Sequence, residues 1–388
     1  MLLYSNKMLI DDNYVVTDRG GIIENRHAVH VAVTDSDGKL LYSIGNPRRI
    51  TLARSAAKPA QALAVLETGA VDTYGFDAAD LALMCASHSS EDSHLSRASS
   101  MLNRVGATET QLRCGGHPAI SEVVNRSWIK RDYIPTAICN NCSGKHVGMI
   151  GGSNALKADV EDYHLPSHPM QLRVKQVMED LCGLEERQIL WGIDGCNLPA
   201  PAVPLLHMSK LYAKFADAAD AVRQDQTAAA QRSQYMARVF QAMTTYPEMI
   251  GGDARFCTDL MRVFQGNLIG KIGADALYCV GIRASEQTRR LGADGSVGVS
   301  IKIEDGNIEI LYAVVVEILK QLEIGSPREW EALSRFHRLE RRNTMGVVTG
   351  LVSLTCKLQA AKGEVINGSS TGVPGQEKNG INIEALAC

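Results

Sequence analysis

Alternation of apolar and polar positions is clearest near the start of the chain. Val29, Val31 and Val33 interleave with Ala28, His30 and Ala32, which predicts a strand, and Asp35-Ser36-Asp37-Gly38 supplies a turn into a returning strand over residues 40–44. From residue 59 to about 264 the pattern turns helical, with apolar stripes over 59–67, 77–85, 92–105, 169–184 and 217–243 separated by Gly- and Pro-containing loops. Strand patterns return at 276–282 and 297–303, joined by the turn-rich segment 291–296, and a helix is expected over 308–322. Strands at both ends with helices between them imply a single sheet shared by the two ends. The expected fold class is therefore α+β, an antiparallel sheet domain (residues 1–60 and 265–388) interrupted by a mostly helical domain (61–264). The Gly- and Ser-rich residues 362–380 are expected to be poorly ordered.

Composition narrows the function classes. The 388 residues are 45% hydrophobic and 21% charged, as in a globular protein with a sizeable core. A net charge of -3 and 5% aromatic residues give no footprint for nucleic acid. Residues 1–13 lack a basic segment followed by an apolar run, so no signal peptide is expected. The stretch 308–322 is broken by Glu309, Glu317 and Lys320, so no membrane partner is expected either. Ten cysteines without a secretory signal point to reduced thiols and a cytoplasmic location, with a metal or catalytic role for a few of them.

Chemistry concentrates in a few short clusters. In Arg54-Ser55-Ala56-Ala57-Lys58-Pro59 the serine and lysine are three residues apart, which on a helix puts them on one face. Serine becomes a nucleophile when a base takes its proton, and a lysine serves once its own pKa is lowered. Pro59 belongs in a first helical turn, which places Ser55 near the positive end of a helix. Cys139-Asn140-Asn141-Cys142-Ser143-Gly144-Lys145-His146 packs a C-x-x-C pair beside a cation, and Cys196 in Gly192-Ile193-Asp194-Gly195-Cys196 offers a further thiol. A soft cation on Cys142 and Cys196, completed by Lys145, His146 or Cys139, is one reading; buried thiols and a loop lysine are the other. Ser87, in Cys85-Ala86-Ser87-His88-Ser89, reads as a second site hydroxyl or a helix end. The Gly266–Ala274 segment is one residue short of a phosphate loop and has Ile272 where a Ser or Thr is required, leaving Lys271 as a site cation or a surface lysine. Paired glycines in Arg113-Cys114-Gly115-Gly116-His117 and Gly251-Gly252-Asp253-Ala254-Arg255 allow close backbone approach to a ligand, or mark plain turns.

Together these clusters, with Arg19-Gly20-Gly21, Glu24 and His27, resemble the Rhizobium etli-type (class 3) L-asparaginases of the asparaginase II family, in family order over about residues 15 to 310. The resemblance implies a serine β-lactamase or penicillin-binding-protein-like fold, with Ser55 as nucleophile, Lys58 as its base and Ser87 with Lys271 as a second Ser–Lys pair. It implies zinc held by Cys142, Lys145 and Cys196; because two thiolates would neutralise its charge, the metal is expected to position the substrate or organise the loops rather than activate water. Arg54, His146 and Asp194 would bind or orient the substrate, L-asparagine, and the protein would be a homodimer. The alternatives are a related amidase or β-lactamase-like acyl hydrolase, and, in another class, a non-catalytic zinc-binding protein.

Overall fold

The computed structural model describes residues 12–361. Among the described residues twelve strands form: β1 (Tyr14–Arg19), β2 (Ile22–Asp35), β3 (Leu40–Ile44), β4 (Ile50–Leu52), β5 (Leu190–Ile193), β6 (Pro199–Pro204), β7 (Leu268–Gly273), β8 (Leu277–Ile282), β9 (Val297–Ile303), β10 (Glu340–Arg342), β11 (Val348–Leu354) and β12 (Gln359–Ala360). Nine of them make one antiparallel sheet in the order β10-β11-β1-β2-β9-β8-β7, with β3 beside β2 and β12 beside β3. The mixed α/β architecture thus joins both ends of the described chain in one sheet. The segment expected to be poorly ordered lies outside the described residues.

β2 is the sheet's long spine. Its first half pairs with β1 across Gly20 and Gly21, both with positive φ (58° and 80°), the backbone a two-residue type I′ hairpin needs. Its second half pairs with β9 from Val29↔Ile303 to Asp35↔Val297, and with β3 through the Asp35–Gly38 turn, where Asp35 Oδ1 accepts the Gly38 and Lys39 N–H groups.

β7, β8 and β9 are buried along their whole length, so their runs of apolar residues lack alternation. The long helix Leu205–Gln224 covers β2, β8 and β9. It approaches so closely that a Cβ on Gly298 would stand 1.7 Å from the Ser209 carbonyl oxygen. One continuous apolar core runs from this sheet into helices Lys58–Leu66, Ala78–Met84, Ser143–Ala155 and Pro169–Cys182.

One expectation needs correction, and one element goes beyond the sequence reading. The helix expected over 217–243 is two helices, Leu205–Gln224 and Gln231–Thr245, because the polar run Asp225-Gln226-Thr227 turns back on itself through Asp225 Oδ1. A second small sheet, β4-β6-β5, was not anticipated, since β6 carries three prolines and β4 is three residues long. That sheet positions the site, because β4 runs into Arg54 and β5 into Asp194.

Candidate active site

Ser55 lies on a short 3₁₀ turn, Arg54–Ala57, that leads into helix Lys58–Leu66 with Pro59 in its first turn. Ser55 is partly exposed, and among the described residues its hydroxyl makes no hydrogen bond. The expected contact with Lys58 is not made in this structure. Lys58 Nζ instead donates to the Ala86 carbonyl oxygen and, at 3.2 Å, to Ser87 Oγ. The cause is burial: Lys58 is fully buried, and its amine turns to the acceptors inside rather than to the exposed mouth.

Ser87 is the hub of the cluster. It follows helix Ala78–Met84 on an irregular segment fixed on two sides, Ser87 N–H to the Ile250 carbonyl (2.9 Å) and His88 N–H to the Asn141 carbonyl (3.2 Å). From β7, Lys271 Nζ donates to Ser87 Oγ at 2.8 Å and to the Ile272 carbonyl at 2.8 Å. Lys271 is also fully buried. Burial, first, and the neighbouring Lys58, second, push its pKa down from 10.5 to about 7. Such an amine exchanges a proton readily near neutral pH.

Next to the hub, Cys142, Lys145 and Cys196 meet. Cys142 caps helix Ser143–Ala155, Lys145 follows within the first turn, and Lys145 Nζ donates to Cys196 Sγ at 3.0 Å. A hydrogen bond from Cys142, with the Lys145 charge also contributing against burial, brings the Cys196 thiol down to about 5. The same hydrogen bond and burial push Cys142 up to about 12. Burial opposes the Lys145 charge, yet Cys196, Cys142 and Asp194 outweigh it and hold the ammonium above its ordinary value. These side chains therefore meet as a thiolate–ammonium pair with a second thiol. Among the described residues no group of three or more His, Cys, Asp or Glu side chains could hold a metal ion. The donor set suited to a soft cation is two sulfurs and the Lys145 amine, and it fits only if Lys145 gives up its proton. Cys139 is not part of it: its thiol contacts the Tyr133 hydroxyl at 3.2 Å in a separate small cluster with Ala119 and Trp128.

Arg54 joins the two sheets. Its guanidinium reaches Asp194 Oδ1 and Asp275 Oδ2, both at 2.7 Å, from a backbone with φ of 46°, a strained conformation for a residue with a Cβ. Burial favours protonating Asp194, but Lys145 and Arg54 win and hold its carboxylate below the usual range. His146 is fully buried, with Nδ1 against the Tyr163 hydroxyl at 2.6 Å and Nε2 without a partner. Burial takes its pKa to about 3. It borders the Lys145–Cys196 pair from inside.

Sequence reasoning passed over three groups. The Ala86 carbonyl that fixes Lys58 has no sequence signal. Tyr163, which bridges His146 and the Arg113 N–H, is detectable only in three dimensions. Arg255, which donates to Ser89 Oγ at 3.1 Å, sits in a motif already singled out and assigned no role.

The L-asparaginase II family profile matches residues 15–354, from β1 to the end of β11. This extends the similarity well past residue 310, to β10 and β11, of which β11 pairs with β1. No curated protein matches the chain. Among solved structures, a Bacillus glutaminase determined in the presence of 4.3 M NaCl is similar over 76% of this chain and 91% of its own, at 13% sequence identity and a TM-score of 0.35. No helix among the described residues is long and apolar enough to cross a membrane. The chain belongs to the L-asparaginase II family and is an amidohydrolase acting on L-asparagine.

Proposed function

We propose that the protein hydrolyses the side-chain amide of L-asparagine to L-aspartate and ammonia through a serine acyl-enzyme on a serine β-lactamase-like fold. The observation that carries this reading is the single hydroxyl of Ser87 held by both buried lysines, at 3.2 and 2.8 Å. A hydroxyl between two amines is placed to relay protons. Ser55, partly exposed and with its hydroxyl unengaged, is the group a substrate can reach.

Ser55 Oγ attacks the amide carbon and its proton passes to Lys58, whose amine turns from the Ala86 carbonyl toward the mouth to accept it. The C–O bond forms as the amide carbonyl becomes an oxyanion, facing the positive start of helix Lys58–Leu66. When the C–N bond breaks, ammonia leaves with a proton delivered through Ser87 from the lysine pair. Water then attacks the ester, loses a proton to the same relay, and releases L-aspartate and Ser55. Arg54 and Asp194 brace the turn that carries Ser55.

Zinc, where bound, would be held by Cys142, Lys145 and Cys196 and would supply a positive charge that organises the loops around the substrate. A homodimer is part of the same proposal, as the family resemblance implies.

Ser55→Ala is expected to abolish ammonia release from asparagine and the covalent aspartyl adduct seen by mass spectrometry after rapid quench, with an unchanged Tm. Ser87→Ala should retain the adduct while lowering kcat, because it removes the relay. An adduct that survives in Ser55→Ala and vanishes in Ser87→Ala would exchange the two serine roles.

A further inference from the structure

We propose that Arg255 binds the α-carboxylate of the substrate and so restricts the enzyme to free amino-acid amides; this rests on the asparagine reading above. Arg255 caps helix Phe256–Phe264 and is partly exposed. Its guanidinium donates Nη1 to Ser89 Oγ at 3.1 Å and lies against the Tyr312 hydroxyl, and Ser89 in turn donates to the Gly251 carbonyl at 2.7 Å. From below, its Cβ is set against Gly251, where an added Cβ would lie 2.9 Å away.

No carboxylate neutralises it. Among the described residues Arg255 has no ion pair; the acids of its own segment face elsewhere, Asp253 toward Arg262 and Asp259 onto Arg335, and Glu91, which follows the Ser87–Ser89 segment, accepts the Asp253 N–H. Lys58 and Lys271 likewise bond only to carbonyl and hydroxyl oxygens. Three basic side chains thus border the Ser87–Ser89 segment and none of them makes an ion pair among the described residues, the Glu91 carboxylate beside Ser89 being taken up by the Asp253 N–H, although basic groups out of bulk water are ordinarily paired. The hydrogen bond to Ser89 Oγ holds the Arg255 guanidinium two residues along the chain from the Ser87 hub.

The substrate has the right length to supply the missing anion. In asparagine the α-carboxylate carbon lies three C–C bonds from the amide carbon, at most about 4 Å away, while the Cα atoms of Ser87 and Ser89 are at most about 7 Å apart. An amide held between Ser55 and Ser87 therefore brings its carboxylate within reach of the guanidinium on Ser89. The planar fork of arginine suits a carboxylate, and the partners it lacks here are the ones a carboxylate provides.

The test compares Arg255→Gln and Arg255→Lys with the parent on three amides: L-asparagine; succinamate, which keeps the carboxylate and lacks the amine; and β-alaninamide, which keeps the amine and lacks the carboxylate. Arg255→Gln is expected to raise KM for asparagine and succinamate about 10- to 100-fold with a smaller change in kcat, so that the parent's preference for asparagine over β-alaninamide collapses. Arg255→Lys should recover part of the loss, and it carries the comparison if Arg255→Gln folds poorly by Tm. Equal losses on all three amides, or a parent with no preference for the carboxylate-bearing pair, would overturn the proposal. If the parent releases ammonia from none of them, the asparagine reading itself fails. Calorimetric binding of L-aspartate then decides Arg255 alone: binding to the parent and not to Arg255→Gln supports the role, and equal binding or none overturns it.

Discussion

Replacing Lys271 with methionine isolates the cost of keeping an amine inside the site. In the unfolded chain this lysine keeps its proton to pH 10.5; in the folded protein burial, and then Lys58, bring that value to about 7. Between these pH values the unfolded chain binds more protons than the folded one, so this group makes stability rise with pH from about 7 to about 10. Below about 7 its full penalty is present. The shift corresponds to roughly 5 kcal/mol at 1.36 kcal/mol for each unit. The groups facing the amine are Lys58 on its helix, Arg255 and Cys257 on the segment that opens helix Phe256–Phe264, and Cys142 at the start of helix Ser143–Ala155. None is a carboxylate that would restore its charge. Methionine fills a similar volume and removes the titration, while the Ile272 carbonyl and Ser87 hydroxyl each lose a donor, a counter-effect of about 1 kcal/mol apiece. Urea unfolding at steps from pH 6 to pH 10 should therefore give a parent curve that climbs more steeply than that of Lys271→Met, with the variant the more stable at pH 6. Its kcat on asparagine should fall sharply, whereas the parent's kcat should rise with pH around 7. Parallel stability curves for the two proteins would refute the argument, since they would mean that Lys271 titrates alike folded and unfolded.

Gly298→Ala should lower stability by about 1–3 kcal/mol or more, read as a shift in the urea midpoint, because the new methyl meets the rigid Ser209 carbonyl at 1.7 Å; an unchanged midpoint would show that the helix can lift away freely. Zinc titrated into chelator-treated protein is expected to bind and release protons, because Lys145 must lose its proton to become a ligand. Cys196→Ser should weaken that binding, and tight binding without proton release would place the metal elsewhere.

Part of this architecture could be read from the residues alone, and the reasons differ by element. β9 was legible because a run of valine and isoleucine is bounded by turn residues on one side. β7 was hidden: Leu268-Ile269-Gly270-Lys271-Ile272-Gly273 mixes two glycines and a lysine into a strand, and only the buried Ser87 hydroxyl explains the lysine. β5 and β6 escaped because their pairing depends on each other and on β4, which carries no strong pattern of its own. At the site, spacing within Ser55–Lys58 suggested a local partnership. The structure turns Lys58 to Ser87, 29 positions along the chain, because a buried amine is satisfied by whatever acceptors tertiary packing supplies. The motifs named the participants, while their partners depended on long-range geometry.

The pairing of β2 with β9 carries a consequence for synthesis on the ribosome. Val29 finds Ile303 only after about 270 further residues have been made, a delay on the order of tens of seconds at ordinary translation rates. Until then the valine-rich spine has one flank open to any passing strand, so newly made chains would depend on chaperone shelter during that interval, and high-level expression would favour aggregates over native enzyme.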